Sequence, residues 1–201
     1  MIQTELKPYI DKKEIVLAYL NKDNTDKYAE QINKFVAKRE RYTKVLKETY
    51  KELASDNILS DIDEHKQYRN TTILLINQTT NDIICFCSYN CSHVRLNAEY
   101  LLPAIEIETF AMHKDYSGFM YVKDGMRLYR CSDYAIQFCI NRFELIKKEH
   151  IYASLVRVHS DTNSNVVNFY KRNNFESFPS GWRFLRRGTD NPEFYFFRML
   201  R

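Results

Sequence analysis

The sequence predicts an α/β chain of the α+β kind. It is expected to be a single domain with a mixed, mostly antiparallel central sheet of about six to seven strands flanked by helices. Apolar residues recur at spacings of three and four up to Leu53, alternate from Thr71, and return to helical spacing near Ser132. The resulting succession, β-α-α-β-β-β-α-β-α-β, implies one sheet with helices on its faces. With 201 residues, 44% hydrophobic and 14% aromatic, the chain can bury a full core, and only 4 Gly and 4 Pro argue against disorder or linkers. The expected division is a helical part over 12–54, a core over 71–178 and a final strand over 193–200, all within one domain spanning 1–201.

Element by element, Glu5 to Ile10 reads as a first strand interrupted by Pro8. Lys12 to Leu20 reads as a short helix closed by the polar turn Asn21-Lys22-Asp23-Asn24. Thr25 is a suitable N-cap, and Asp26 suits the positive end of the following helix. Over Thr25–Leu53 an apolar stripe (Tyr28, Ile32, Phe35, Tyr42, Leu46, Leu53 among them) faces one way and Lys and Glu the other. Periodicity leaves open whether Arg39-Glu40-Arg41 divides it into two helices. Thr72–Ile76 and Ile83–Cys91 form a hairpin across the turn Asn77–Asp82. Pro103 opens a third strand, Ala104–His113. A long helix over Ser132–Lys148 is capped by Ser132, with Tyr134, Phe138, Leu145 and Ile140 or Asn141 near its inner stripe. The strand Ile151–Val158, the helix Asn163–Arg172 and the strand Glu193–Leu200 complete the chain.

Bulk chemistry excludes several classes. No stretch approaches the ~18 apolar residues that span a bilayer, and the first twenty positions carry scattered charges rather than a basic-then-apolar leader. A cytoplasmic protein without a membrane partner is expected. Its five cysteines, odd in number, are expected as reduced thiols. Cys85, Cys87 and Cys91 diverge along one strand face and do not converge as zinc ligands do, so they read as small hydrophobes, and no metal is expected. Cys131 and Cys139 sit at or in a packed helix, a poor setting for a nucleophile. A net charge of +4 is mild, and Arg183, Arg186 and Arg187 form the sharpest basic cluster. They read as a solvated loop or, alternatively, as phosphate contacts.

Two segments carry candidate chemistry. In Ala104–Met112, Glu106 and Glu108 point to one side of the strand with Phe110 and Met112. A carboxylate on a central strand needs hydrogen bonds or a cleft. A glutamate desolvated by Phe110 would have its pKa raised, as suits a general base. The other possibility is that this face is solvated. The second segment is Asn163 to Phe175, a short helix with an asparagine at its start, Phe169-Tyr170 on its inner face and a tight turn, Asn173-Asn174. It follows a strand and places the Tyr170 hydroxyl near that strand's C-terminal end.

This closing stretch resembles the N-x-x-A-x-x-F-Y-x-x-x-G-F motif of the GNAT acyltransferase superfamily, with Val166 for the alanine and Asn174 for the glycine. Asn tolerates positive φ nearly as Gly does. Glu106 to Gly118 resembles the fourth strand and following turn of that family. The resemblance implies a GNAT fold, acetyl-CoA as co-substrate and an amine-bearing acceptor. It implies Glu106 as general base, Tyr170 as the acid that protonates the departing thiolate, and Asn163 as a contact to the cofactor arm. Backbone N–H groups of Phe110, Ala111 and Met112 would polarise the carbonyl. The family's glycine-rich pyrophosphate loop matches in two registers, Asp115–Met120 and Arg130–Ala135. The second fits the helix length and implies Arg130, Ser132, Asp133, Tyr134 and Ala135 as cofactor contacts, after an insertion over Phe119–Tyr129. Asp133 stands where glycine is usual.

Three functions follow from the resemblance: an N-acetyltransferase acting by direct attack of an amine, a GNAT-shaped binding module without catalysis, and an acetyltransferase acting on aminoacyl-tRNA. Nucleic acid as a partner stays open but is not the favoured reading, and a homodimer also stays open.

Overall fold

The computed structural model describes residues 8–55, 70–96, 100–118, 120–149, 153–160, 163–179, 183–184 and 195–201. Two compact units arise, one from Met1–Gln67, Thr71–Cys87 and Thr109–Ala135, the other from Tyr68–Asn70, Ser88–Glu108 and Ile136–Arg201. The elements in chain order are β1 (Tyr9–Asp11), β2 (Ile15–Leu20), α1 (Thr25–Lys34), α2 (Glu40–Ala54), β3 (Thr71–Asn77), β4 (Asp82–Arg95) and β5 (Leu101–Met112). They continue with β6 (Tyr121–Asp124), β7 (Arg127–Arg130), α3 (Cys131–Glu149), β8 (Leu155–His159), α4 (Ser164–Arg172), β9 (Glu176–Ser177), β10 (Arg183–Phe184) and β11 (Tyr195–Met199). Hydrogen bonding orders one sheet as β2-β3-β4-β5-β8-β11-β9, with β10 on β4, and a smaller sheet as β1-β6-β7. In the larger sheet β5–β8 is parallel, whereas β2–β3, β8–β11, β9–β11 and β4–β10 are antiparallel. The expected mixed, mostly antiparallel α+β sheet is present. No helix among the described residues is long and apolar enough to cross a membrane.

In the first unit, β2 replaces the helix expected over Lys12–Leu20. Only Lys12–Glu14 turn, as a 3-10 helix capped by Asp11. The run Ile15-Val16-Leu17-Ala18-Tyr19-Leu20 then pairs with β3, Ile15 opposite Asn77 and Leu20 opposite Thr72. A continuous apolar run of this length has no periodicity to separate strand from helix, and its β-branched start favours the sheet. Thr25 is the first helical residue rather than the cap, and its hydroxyl donates to the Lys22 carbonyl at 3.1 Å. The long amphipathic segment breaks after Lys34, where Phe35 is extended. Ala37 then bridges His113 and donates its N–H to Thr43 Oγ1 at 2.9 Å. The two helices bury Tyr28, Ile32, Phe35 and Leu46 with Leu74, Ile76, Ile83 and Phe86. Phe35 meets Phe86 edge-on at 5.5 Å between ring centroids, a preferred aromatic geometry.

The segment expected as an insertion between strand and helix is the β6–β7 hairpin, turning at Gly125 with φ of 61°. Gly supplies that left-handed conformation without a steric penalty. β1 adds to β6 in parallel, immediately after Pro8, whose carbonyl accepts from Tyr121 N–H at 3.1 Å.

In the second unit, Val94, Ala104, Leu155, Phe178 and Phe197 form a core. β8 and β11 pair antiparallel from Leu155–Met199 to His159–Tyr195. Among its described residues α3 buries Cys131, Ala135, Ile136, Cys139, Ile140, Phe143 and Ile146, while Leu145 is 45% exposed. Of the stripe expected through Tyr134, Phe138, Leu145 and Ile140 or Asn141, Ile140 is buried, Tyr134 and Phe138 are half-buried and Leu145 and Asn141 are exposed, so the inner stripe is rotated. A helix apolar on several sides offers more than one stripe, and packing selects among them. α3 begins at Cys131, so Ser132 lies within the first turn and does not cap it. Cys131 N–H is satisfied by the Met120 carbonyl at 3.0 Å.

Candidate functional site

In the second unit, the pleat puts Glu106 and Glu108 on one face of β5, and the parallel register sets Glu106 opposite Arg157 of β8. Glu106 is not desolvated by apolar neighbours alone. Its carboxylate Oε2 accepts a charge-assisted bond from Arg157 Nη2. Arg157, 2% exposed, also donates to Ser92 Oγ at 2.7 Å and to the His93 carbonyl at 3.2 Å. A buried ion pair offsets its desolvation only when such additional bonds satisfy the fork. Glu106 itself is 7% exposed and so largely closed to solvent.

Glu108 differs. It is half-buried, and its Oε1 accepts from Asn90 Nδ2 at 2.9 Å, while that amide also donates to Asn70 Oδ1 at 3.1 Å. Glu108 also stands just past the parallel ladder, which runs from Ala104–Leu155 to Ile107–Val158, whereas β5 continues to Met112. Of the two carboxylates on this face, the accessible one is Glu108. Alternation alone could not rank them, because the residue that grips Glu106 lies 51 positions away.

α4 follows the loop after β8, and Asn163 caps it by accepting from Asn165 N–H at 2.9 Å. Tyr170, 6% exposed, stacks on Phe196 at 6.0 Å and meets Phe169 and Phe175 edge-on at 5.1 and 5.3 Å. The turn after α4 closes on Asn173, whose side chain donates to the Phe169 carbonyl at 2.9 Å, and on Asn174 at φ of 62°. Asn174 thus adopts a left-handed conformation of the kind glycine supplies most readily.

In the first unit, Phe110 and Met112 are half-buried and Ala111 is 5% exposed in the core beneath α1 and α2. Ser132, Asp133, Tyr134 and Ala135 occupy the first turns of α3, and Arg130 is the exposed last residue of β7. The competing register falls elsewhere. Lys114–Tyr116 is a 3-10 turn, and Gly118 has φ of 106° in the bend that follows. Helix N-termini offer N–H groups to anions, so only the second register places its residues where that chemistry is available. Asp133 in the same turn complements the helix dipole but would oppose a bound anion.

The remaining reactive groups are quiet. Cys131 is 1% exposed and burial pushes its thiol up to about 12, which leaves little thiolate for nucleophilic work. Cys85, Cys87 and Cys139 are buried, and Cys91 is exposed. Among the described residues no group of His, Cys, Asp and Glu could hold a metal ion. Arg183 of β10 pairs with Arg95 of β4, while Arg186 and Arg187 lie outside the described residues.

One feature was not foreseen from the sequence. A cavity of about 350 Å³ in the first unit is lined by Tyr9, Glu14, Asn77, Thr80, Asp82 and Tyr116, among others. The Tyr116 hydroxyl donates to Asp82 Oδ2 at 2.9 Å, lies 3.0 Å from Thr80 Oγ1 and accepts from Asn77 Nδ2 at 3.5 Å. Burial raises the pKa of this phenol. Nothing in the spacing of these residues signalled the network, which joins a hairpin turn to the segment after β5.

No family model matches the sequence, and no curated protein matches it. Solved structures match in fold. The chain is similar to the KacTA–DNA complex, with TM-score 0.61 at 14% identity over 92% of this chain and 94% of that one. It is similar to AtaT complexed with acetyl-methionyl-tRNAfMet, with TM-score 0.59 at 12% identity over 92% and 94%. It is also similar to a tyrosine-to-phenylalanine mutant of the AtaT toxin bound to the C-terminus of the antitoxin AtaR and acetyl-CoA, with TM-score 0.56 at 11% identity over 93% and 94%. At such identities the likeness is one of fold.

Proposed function

We propose that this chain, whose fold is that of the GNAT acyltransferases, is an acetyl-CoA-dependent N-acetyltransferase that acylates a primary amine by direct attack. The observation that carries the proposal is the end of the β5–β8 ladder at Ile107–Val158, with carboxylates on the β5 face and an Asn163-capped helix bearing Tyr170 after β8. The amine nitrogen forms its bond to the thioester carbonyl carbon, and the carbon–sulfur bond breaks. Glu108, oriented by Asn90, takes the proton from the amine. Glu106, expected as the base, is held by Arg157 and largely closed to solvent, and it ties β5 to β8 in register. Tyr170 returns a proton to the thiolate. Backbone N–H groups of Phe110, Ala111 and Met112, beyond the ladder, would polarise the carbonyl. Arg130 and the N–H groups of Ser132 and Asp133 in the first turn of α3 would meet the pyrophosphate, with Tyr134 and Ala135 beside them, and Asn163 the pantetheine arm.

Calorimetric titration with acetyl-CoA tests the proposal. Micromolar binding is expected, and no binding at millimolar concentration would leave a GNAT-shaped module without catalysis. With a panel of polyamines, peptide N-termini and aminoacyl-tRNA as acceptors, Tyr170→Phe should slow thiol release while affinity for acetyl-CoA stays within about two-fold, since only the proton donor is lost. Unchanged thiol release would reject Tyr170 as the acid. Aminoacyl-tRNA is favoured within that panel by one observation: a structurally similar protein, AtaT, is complexed with acetyl-methionyl-tRNAfMet. A turnover that collapses between low and high salt only for that acceptor would select it.

A further inference from the structure

The face of the second unit's sheet that carries Glu106 and Glu108 is graded from closed to open. Its first row is apolar, with Val94, Ala104 and Leu155 packed in one core with Phe178. The next row is closed by charge: Arg157 joins Glu106 to Ser92 and stands opposite Phe197 of β11. The third row is open. In the β8–β11 register His159 stands opposite Tyr195, each two residues from the Arg157–Phe197 pair and so on the same face. Glu108 shares that face, and it and His159 each stand one residue past the end of the β5–β8 ladder. Asn90, bonded to Glu108, completes a row across β4, β5, β8 and β11. In that row His159 is exposed and the other three are half-buried. One face of its imidazole is covered. The ring centroids of His159 and Tyr195 lie 4.6 Å apart with the planes at 30°, and Phe178 meets Tyr195 edge-on at 6.3 Å. Tyr195 comes from the β11 side, so the other face of the imidazole looks towards β5 and Glu108. The mechanism above gives neither ring a task.

We propose that His159, held in plane by Tyr195, selects the acceptor, and that the acceptor is an amine two carbons from a planar ring. This selection rests on the acyl-transfer reading given above and names its substrate class. Neighbouring strands lie about 4.8 Å apart, so the carboxylate that meets the amine and the imidazole face that meets the substituent are separated by roughly one strand. Two tetrahedral carbons set a nitrogen about 5 Å from the centre of the ring they carry. The acceptor ring therefore lies on the open face of His159 while its amine reaches Glu108. A flat ring stacked in offset on the imidazole gains from its geometry beyond the area it buries, and a puckered aliphatic ring of similar size does not. This chemistry has two sources. One is a free arylethylamine, and the other is the first residue of a peptide that begins with phenylalanine or tyrosine, where nitrogen and ring have the same spacing.

Acetylation of 2-phenylethylamine and 2-cyclohexylethylamine by the full chain compares a flat ring with a puckered one at equal reach. The kcat/KM ratio should favour the flat ring by about five- to ten-fold. The gain should fall mainly on KM, because stacking holds substrate and transition state alike. His159→Ala should bring the ratio to about one, and His159→Phe, which keeps a flat ring, should restore it. Equal kcat/KM for the two amines, or a preference that survives His159→Ala, would overturn the proposal. Phenylalanyl-glycyl-glycine separates the sources: a higher kcat/KM than that of 2-phenylethylamine assigns the site to peptide N-termini, and a lower one to the free amine. Proton spectra recorded without acetyl-CoA separate this proposal from the one beneath it. Titration with 2-phenylethylamine should move the His159 ring protons upfield, as assigned by their loss in His159→Gln, and 2-cyclohexylethylamine should not. If no amine is acetylated and the His159 signal still moves, the acyl-transfer reading falls and the ring site stands. If amines are acetylated while the signal stays in place, acyl transfer stands and the ring site is wrong.

Discussion

Replacing Glu106 by glutamine keeps the shape of the side chain and removes its charge, leaving Arg157 buried at 2% exposure without its counter-ion. Breaking a buried pair from one side typically costs about 3–5 kcal/mol, because the remaining charge stays desolvated. Arg157 keeps its bonds to Ser92 Oγ and the His93 carbonyl, which points to the lower end, about 3 kcal/mol. That is a large share of the roughly 5–15 kcal/mol by which domains are stable. For a chain of this size it corresponds to a fall in Tm of about 6–12 °C. Urea denaturation at neutral pH, with the slope of the transition unchanged, measures it. The double variant Glu106→Leu with Arg157→Met removes both charges and should recover most of the loss. Two results would refute the reasoning: a Glu106→Gln midpoint within about 0.5 kcal/mol of the parent, or a double variant no better than the single one. Glu108→Gln is the comparison, since loss of one partly exposed hydrogen bond should cost no more than about 1 kcal/mol.

In activity the order should reverse. Glu108→Gln should lower kcat by about a hundred-fold or more, while acetyl-CoA affinity holds; an unchanged kcat would reject Glu108 as the proton acceptor. Thiol labelling at pH 7.5 should modify Cys91 alone, with Cys85, Cys87, Cys131 and Cys139 reacting only after unfolding. More than one fast thiol would contradict the packing. The raised Cys131 pKa has a defined sign: between about 9 and about 12 the folded state holds a proton that the unfolded state has lost. Stability is therefore full below pH 9 and falls as pH rises towards 12, by about 1.4 kcal/mol per unit from this group. Cys131→Val should lessen that alkaline slope, and an unaltered slope would argue against the buried thiol. Asn174→Gly, at φ of 62°, should leave stability unchanged or raise it, whereas Asn174→Val should cost about 1–2 kcal/mol; equal midpoints for the two would exclude the left-handed turn.

Local signals were well written in the chain. Asn163 as the cap of α4, the turn at Asn173-Asn174 and the hairpin turn after Asn77 each depend on residues within a few positions of one another. So do the alternation in β5 and the period of α1 and α2, although where that helical run breaks was not legible. Phe35 becomes extended because Ala37 finds a strand partner in His113, far along the chain. β2 failed as a helix for the same reason. Its six apolar residues suit either structure, and β3 supplied the ladder.

The sequence by itself determined the fold class, the order of most elements and the two segments that carry the candidate chemistry. It determined also that Tyr170 and two β5 carboxylates belong among the candidates. Only the tertiary structure decided which carboxylate is accessible, because Arg157 reaches Glu106 across strands. It also decided that the segment before α3 is a hairpin, and that His159 of β8 meets Tyr195 of β11 on the face that carries Glu108. Patterning along a chain records which side of an element is apolar. It does not record register between strands, and register sets which charge meets which and which rings share a face.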